Sequence, residues 1–507
     1  MSYSMETHRA FALGWLRELR VRKKWWGRGV FDRLGRMKRW LKRAGMAFGV
    51  LTLLIVALYL EENWRGARLW AQTKAQYEAK GFSFDPKSLI PPPVPDEQNF
   101  AKSEIWLKIL AADDKKHKDR PKVAFFEAQK NVREWRYKNK DGNWLLGEKL
   151  LAPPASLFHD TDDELQALYL AGKRPHCYFT TDLQNTEIPC SAALPFASND
   201  LFSGLREHAL VALNADNSDA ALNDILLLHK LSFAACDLPT LVPHIFACGT
   251  FSYASLPVLW QGLESHSWTD SQLHELENSL SSRDLVKTLN KTLFSDLSFV
   301  ALPMIDLLQK KKRYAPVLSF VIDGNTTSSM FLWFLPHGSF AAAKSKATEF
   351  YILNILPIVD SKSHRIHFEK LPSLESARST LQSPFSFLDK LLSMTVTAVA
   401  PSIETTGRIQ SLIDMARVAC GLERYRLANG KYPAALAELE PKFIERVPHD
   451  LCTGEPLHYR VEVDGNYALY SVGFNGVDDG GKVVMKNEPL SLIDPKQGDW
   501  VWPRSKK

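Results

Sequence analysis

The spacing of apolar residues changes several times along the chain, and each change predicts a different element. From Ala44 to Leu60 the run AGMAFGVLTLLIVALYL holds 17 residues without a charge and is ended by Glu61 and Glu62. A helix needs roughly 20 apolar residues to cross a hydrocarbon core of about 30 Å. Flanking residues extend this run, because Lys42 and Arg43 can snorkel to headgroups while Tyr59 and Trp64 suit the opposite interface. The run predicts a transmembrane helix. Residues Glu61 to Gly81 are rich in helix formers and continue it outward until Gly81 stops it. Pro86, Pro91, Pro92, Pro93 and Pro95 then predict an extended, semi-rigid spacer.

From Asn99 to Ala197 the pattern is irregular, and mixed short elements are predicted. AADDKKHKDRPK reads as a solvated loop, KNKDGNW carries an Asp-Gly turn signal, and Asp162, Asp163 and Glu164 suit the start of a helix, where negative charge complements the dipole. From Asn199 to Lys312 apolar residues recur at three and four positions, which predicts helices over Leu201 to Leu213, Ala220 to Ala235, Leu241 to Leu263, Thr269 to Leu280 and Asp284 to Leu308. Thr269 and Gln272 form a capping box. Helices paired at this length are similar to tetratricopeptide-like or HEAT-like hairpins, without a fixed repeat period. Further on, SMFLWFLPHGSF (Ser329 to Phe340) is too short an apolar patch to span, and predicts a buried helix or a docking surface.

The last block changes period again. Arg408 to Asn429 predicts a helix with Leu412, Met415, Ala419, Leu422 and Tyr425 on one side, stopped at Gly430. Leu457, Tyr459 and Val461 alternate, Asp464 and Gly465 turn the chain, and Tyr467, Leu469 and Ser471 alternate back, which predicts a β-hairpin. The fold class is therefore mainly α with a small α+β C-terminal module. Its predicted parts are a basic head (1–43), a transmembrane helix (44–60), a helical extension and Pro-rich linker (61–98), a mixed region (99–198), a helical body (199–404) and the α+β module (405–507).

Charge sharpens the first of these parts. The 43 residues before the apolar run carry 13 Lys and Arg against 3 acidic residues, a net +10, while the whole chain is only +6. The remainder is mildly acidic, with no electrostatic case for nucleic acid. Positive flanks stay cytoplasmic, so the bulk beyond Glu61 is predicted to lie outside the cytoplasm, with its N-terminus inside and the cell (inner) membrane crossed once. No A-x-A site stands within the apolar run or at its end before Glu61, which favours a retained signal anchor over a cleaved signal peptide. Val30, Leu34, Met37 and Leu41 share a helix face amid Arg and Trp, so membrane lipid is the predicted partner of the head; a disordered basic tail that only fixes topology is one alternative, and nucleic-acid binding, supported by charge and aromatics but by no recognised motif, is a third reading that ranks well below lipid.

The order ERYRLANGKYP, DLCTGEPLHYR, YALYSVGFNGVDDGG resembles the globular part of type II secretion pseudopilins, over residues 405 to 503. More broadly, the chain resembles membrane-anchored proteins of Verrucomicrobia and Planctomycetes in which a helical body precedes such an ending. In major pseudopilins this terminal loop holds calcium, so the resemblance implies Asn475, Asp478 and Asp479 as calcium ligands, set among Gly473, Gly476, Gly480 and Gly481. The same residues also make an ordinary Gly/Asn/Asp turn. A pseudopilin carries its span directly ahead of this domain, whereas here the span ends at Leu60 and the module helix starts at Arg408, an arrangement that reads as a tether.

Other chemistry is sparse. Six cysteines allow local pairs Cys177–Cys190, Cys236–Cys248 and Cys420–Cys452, or buried thiols. His364 and His367 (HRIH) could ligate a metal or lie in a solvated loop. His337, Gly338 and Ser339 adjoin without an identifiable acid, and no G-x-S-x-G, Walker A, G-x-G-x-x-G or H-E-x-x-H occurs. No catalytic residue is assigned. The sequence predicts a membrane-anchored envelope protein with a helical binding or scaffolding body and unidentified protein partners. An envelope hydrolase with a pocket in the body, and an accessory part of a secretion or pilus-like system, are the other readings.

Overall fold

A computed structural model describes residues 5–90, 92–113, 121–179, 197–311, 334–381, 387–486 and 493–505. Helix accounts for 67% of it and strand for 7%, so the protein is mainly α. The chain divides into two compact units, one of Met1–Leu69 with Leu335–Ala341, the other of Trp70–Phe334 with Ala342–Lys507.

In the first unit, helix α1 (Met5–Glu78) enters the second unit only beyond Leu69. Its apolar stretch is uncovered: Phe48, Leu53 and Leu58 are exposed, and no part of the most apolar window is buried. After this stretch, Gly66 meets the turn at Pro336–Gly338 so closely that a Cβ on Gly66 would lie 2.0 Å from the Gly338 carbonyl oxygen. Asn63 Oδ1 accepts the Gly338 amide at 2.8 Å, and the Ser339 hydroxyl reaches Glu62 Oε1 at 3.3 Å. Within the predicted apolar patch, the described part is this turn followed by the first residues of a helix that starts at His337, with Phe340 buried; residues 329–333 lie outside the described residues. Helix α1 stops at Glu78, with Gly81 left-handed at φ 89°, as its composition predicts.

The first of the prolines that follow, Pro86, departs from the expected spacer. Asp85 Oδ1 accepts the Lys87 amide at 3.0 Å and Pro86 stands at the first helical position, so Pro86–Leu89 is a helical turn.

The predicted mixed region is more helical than its pattern suggests. Here lie α2 (Glu104–Asp113), α3 (Ala124–Lys138) and α4 (Asp162–Gly172), the last beginning on its acidic triplet as expected. Helix α3 buries Phe125, Ala128, Gln129 and Val132, a stripe at three and four spacing that its many charged residues mask.

The body's helices fall where the periodicity puts them: α5 (Ala197–Asn214), α6 (Ser218–Cys236), α7 (Leu241–Glu264), α8 (Asp270–Ser281), and α9 (Leu285–Asp296), which passes through a wide turn into α10 (Leu302–Lys311). The capping box opens α8: Gln272 donates its amide to Thr269 Oγ1 at 3.3 Å, and the Thr269 amide returns to Gln272 Oε1 at 3.0 Å. Helix α11 (His337–Phe350) follows.

Three π turns share one device. Phe251–Ser255, Leu297–Ala301 and Tyr351–Ile355 are each followed by Leu-Pro, at Pro257, Pro303 and Pro357. A helical proline lacks an N–H and clashes with the carbonyl four residues back. The widened turn closes instead on the preceding leucine, whose amide donates to the carbonyl five residues earlier, as Leu256 does to Phe251.

At the centre runs α14 (Val399–Asn429), preceded by α12 (Leu371–Ser379) and α13 (Phe387–Thr397). Helix α14 packs on α7, α8, α9 and α13, and also on the C-terminal strands. Small residues permit the approach: a Cβ on Gly407 would meet the Phe368 ring at 2.5 Å. The helix ends at Gly430, left-handed at φ 76°. It extends nine residues upstream of the predicted start at Arg408 and belongs to the body as much as to the module.

The predicted hairpin is present as β3 (His458–Val461) and β4 (Tyr467–Ser471), antiparallel with His458 opposite Tyr470. Strand β7 (Trp500–Val501) adds a third member on β4, while β5 (Val483–Met485) pairs with β6 (Ile493–Gly498). The C-terminal segment is tied to the body, since the Trp260 indole donates to the Pro503 carbonyl at 2.9 Å and Trp144 lies between the Trp260 and Trp502 rings. An earlier short hairpin, β1 (Val359–Asp360) with β2 (Arg365–Ile366), carries the residue on which the candidate site is built.

Candidate functional site

The turn between β1 and β2 is locked by Asp360, whose carboxylate accepts the amides of Lys362 and Ser363 and the Ser363 hydroxyl at 2.6 Å. This holds His364 in the left-handed region at φ 50°, which histidine tolerates better than most residues. Its ring then reaches two carboxylates. Nδ1 is 2.9 Å from Asp284 Oδ2, and Nε2 is 3.2 Å from Asp414 Oδ2. Burial alone would push the His364 pKa down, but hydrogen bonds and charge from Asp284 and Asp414 outweigh it and hold the ring protonated, with a pKa of about 10.

Each carboxylate has a second task. Asp284 caps α9 by accepting the Lys287 amide at 3.0 Å. Asp414 accepts from Gln410 Nε2 at 3.1 Å, and Gln410 Oε1 in turn accepts the Leu285 amide at 2.8 Å. Arg417 joins Asp414 to Glu277 of α8. The His449 ring stands edge-on to His364, with Nε2 3.1 Å from the Ser363 carbonyl. With both ring nitrogens engaged, His364 has no free nitrogen to act as a base. It is a clasp that joins α9, α14 and the β1–β2 hairpin.

Beside this clasp lies a cleft of about 520 Å³, within the size range of small-ligand pockets. Its walls come from the end of α6, the Leu238–Pro239 loop and one face of α9. Asp237 and Arg283 form an ion pair across it at 3.1 Å. A second cavity of about 280 Å³ shares Asp237, Ser282 and Arg283 and reaches Cys177, whose thiol burial pushes up to about 12.

Two further histidines are buried differently. His208 Nδ1 is 2.6 Å from Asp224 Oδ2, and Tyr169 donates to Asp224 Oδ1 at 2.6 Å. Burial opposes the His208 charge, but the Asp224 carboxylate outweighs it and raises the pKa. No hydroxyl or thiol bonds His208 among the described residues, so the pair orients an imidazole without a nucleophile. His229 sits between the hydroxyls of Ser279 and Ser255, at 2.9 and 2.6 Å, and burial lowers its pKa to about 3, leaving it neutral.

Apart from His364, the residues singled out by sequence fall elsewhere. His367 pairs with Glu369 at 2.9 Å and shares no partner with His364, so HRIH is not a ligand pair. Asn475 Nδ2 lies 3.4 Å from Asp479 Oδ2, and Asn475 Oδ1 accepts the Val477 amide at 3.1 Å. Asp478 Oδ1 accepts from the Gly480 amide at 2.9 Å and the Tyr470 hydroxyl at 3.1 Å, contacts that with the Gly480 bond foremost hold its pKa down. The loop is tied down by buried Asp499, which accepts the amides of Asp479, Gly481 and Lys482 and which sequence reading missed. Among the described residues no three His, Cys, Asp or Glu side chains converge as a metal site. Cys236, Cys248, Cys420 and Cys452 are free thiols, so neither described pairing forms, and Cys190 lies outside the described residues.

Compared with known proteins, the chain matches no family model, no curated protein and no solved structure.

Proposed function

We propose that the chain is a single-pass membrane protein whose basic head stays cytoplasmic and whose helical body acts outside the cytoplasm as a binding and scaffolding module. One observation carries this reading. Among the described residues three helices are long and apolar enough to cross a membrane, but Arg36–Glu78 has none of its apolar window buried, whereas Leu241–Glu264 and Asp270–Lys310 have two thirds of theirs covered by the protein itself. The uncovered helix is also the one that follows the net +10 head.

Binding, and not catalysis, is favoured by the chemistry of the body. The histidines described above are clasped, fully buried or without a nucleophile, while the cleft beside Asp284 opens on a polar helix face. The likeness of residues 405–503 to pseudopilins belongs to the same proposal, as a docking module at the end of a tethered body. Protease added from the extracytoplasmic side of intact cells tests the reading. Degradation of everything beyond Glu61 is the expected result, and protection of the body overturns the orientation.

A further inference from the structure

Three facts about the cleft beside Asp284 converge on one kind of ligand. The first is charge. Arg283 is neutralised by Asp237, and Asp284 is held by His364 and the Lys287 amide. Lys287 and Lys291, one turn apart on α9, both line the cleft and form no ion pair among the described residues. Lys291 also acts on Asp237 through space, so the lining holds three cations, Arg283, Lys287 and Lys291, against two acids, Asp237 and Asp284, and Asp284 is already engaged by the His364 cation. The positive excess favours an anion over a metal ion.

The second fact is a hydroxyl without a partner. Ser295 continues the row of Lys287 and Lys291 at the next four-residue step and lines the same cleft. Its side chain is 1% exposed, and its Oγ makes no hydrogen bond among the described residues. A buried hydroxyl left unpaired costs about 1–3 kcal/mol, so such groups in folded proteins usually await a ligand or a water. A donor at the inner end of a row of two ammonium groups suits an oxyanion that enters head first.

The third fact is the apolar part of the wall. Leu89, Leu238 and Pro239 face the lysine row. Inorganic anions gain nothing from such a surface, but an esterified anion with a carbon body does. Lysine ammonium groups are compact point charges and bind phosphate without requiring the planar fork of arginine.

We propose that this cleft binds a phosphate monoester, with Lys287 and Lys291 on the phosphoryl oxygens, Ser295 donating at the inner end and Leu89, Leu238 and Pro239 against the carbon body. The proposal deepens the reading of the body as a binding module. Its test measures affinity and not topology, so a body on the wrong side of the membrane would sink that reading and leave this one standing.

The experiment uses the full chain in neutral-lipid nanodiscs, titrated calorimetrically with glycerol 3-phosphate and with inorganic phosphate at constant ionic strength. Saturable binding is expected, tighter for the ester. Lys287→Gln with Lys291→Gln should weaken it at least about tenfold, since hydrogen bonds to charged groups are individually strong. Ser295→Ala should weaken it by a smaller factor, and both variants should keep the wild-type melting temperature without ligand to within a few degrees, the lysines being exposed. A phosphorylated lipid headgroup offers the same chemistry. Nanodiscs containing phosphatidic acid should shield Lys287 and Lys291 from amine acetylation if a headgroup is the occupant, whereas shielding by glycerol 3-phosphate alone assigns a soluble ester. Absence of saturable binding and of shielding by either source, or affinity unchanged in the double lysine variant, overturns the proposal.

Discussion

Helices α1 and α7 pose the same problem and have opposite solutions. Both hold an apolar window that qualifies them to cross a membrane, yet in α1 none of it is buried and in α7 two thirds of it is. Leu53 is 71% exposed, whereas Leu259 is 0% exposed. Hydropathy states that a segment avoids water, and only packing states whether protein or lipid covers it. The two also differ in polar company. Residues 44–60 contain no ionisable group except the Tyr59 hydroxyl, while the helices around α7 bury Glu207, Asp224, Glu277 and Asp414, each with a partner.

The sharpest contrast is a matched truncation. Leu259→Ala should cost the body about 2–5 kcal/mol, since deleting buried methyl groups loses transfer energy and leaves a cavity. Leu53→Ala should leave body stability within about 0.5 kcal/mol. Denaturant unfolding followed by a tryptophan signal in the body checks both, and equal losses would break the comparison.

Of similar size is the loss expected for Asp414→Asn. Removing one member of a buried charge network strands the others and costs about 3–5 kcal/mol. Melting of the full chain in nanodiscs measures it, and a loss below about 1 kcal/mol would mean that the clasp does not hold α9 to α14. A smaller effect is expected at the docking turn of the first unit. A Cβ on Gly338 would lie 1.9 Å from the Glu62 carbonyl oxygen, so Gly338→Ala should cost about 1–3 kcal/mol locally, read as faster amide exchange around Asn63 and Ser339.

The last expected effect is read as a slope in pH. His364 has a folded pKa raised to about 10 against an unfolded value of about 6.5. Its stabilisation is therefore fully present below about pH 6.5 and is lost as pH rises through about 10. His364→Gln should flatten the decline in melting temperature across that window. His229→Gln should not flatten it, because the neutral His229 has a lowered pKa of about 3 and offers no charge to lose there.

Much of the fold was legible because its helices are long and strongly periodic. The ends of α7 and α8, the Thr269 capping box, the acidic start of α4 and the β3–β4 hairpin all rest on local chemistry that a sequence states directly. Helix α3 was hidden because charged residues interleave its stripe. The three π turns carry a visible tag, Leu-Pro at the end of each, but the tag has meaning only once the five-residue register is seen. Of the site only His364, in HRIH, was legible, and its partners were not. His364 lies 80 positions from Asp284 and 50 from Asp414, and no spacing rule joins them. For the cleft, the four-residue spacing of Lys287, Lys291 and Ser295 on α9 was the available signal.

The central claim is that lipid covers α1 and protein covers α7. A photoactivatable lipid with a diazirine in its acyl chain, activated in native membranes and mapped by peptide mass spectrometry, tests it most directly. Label confined to residues 44–60 is the result predicted here. Label within Leu241–Glu264 or Asp270–Lys310 would contradict it.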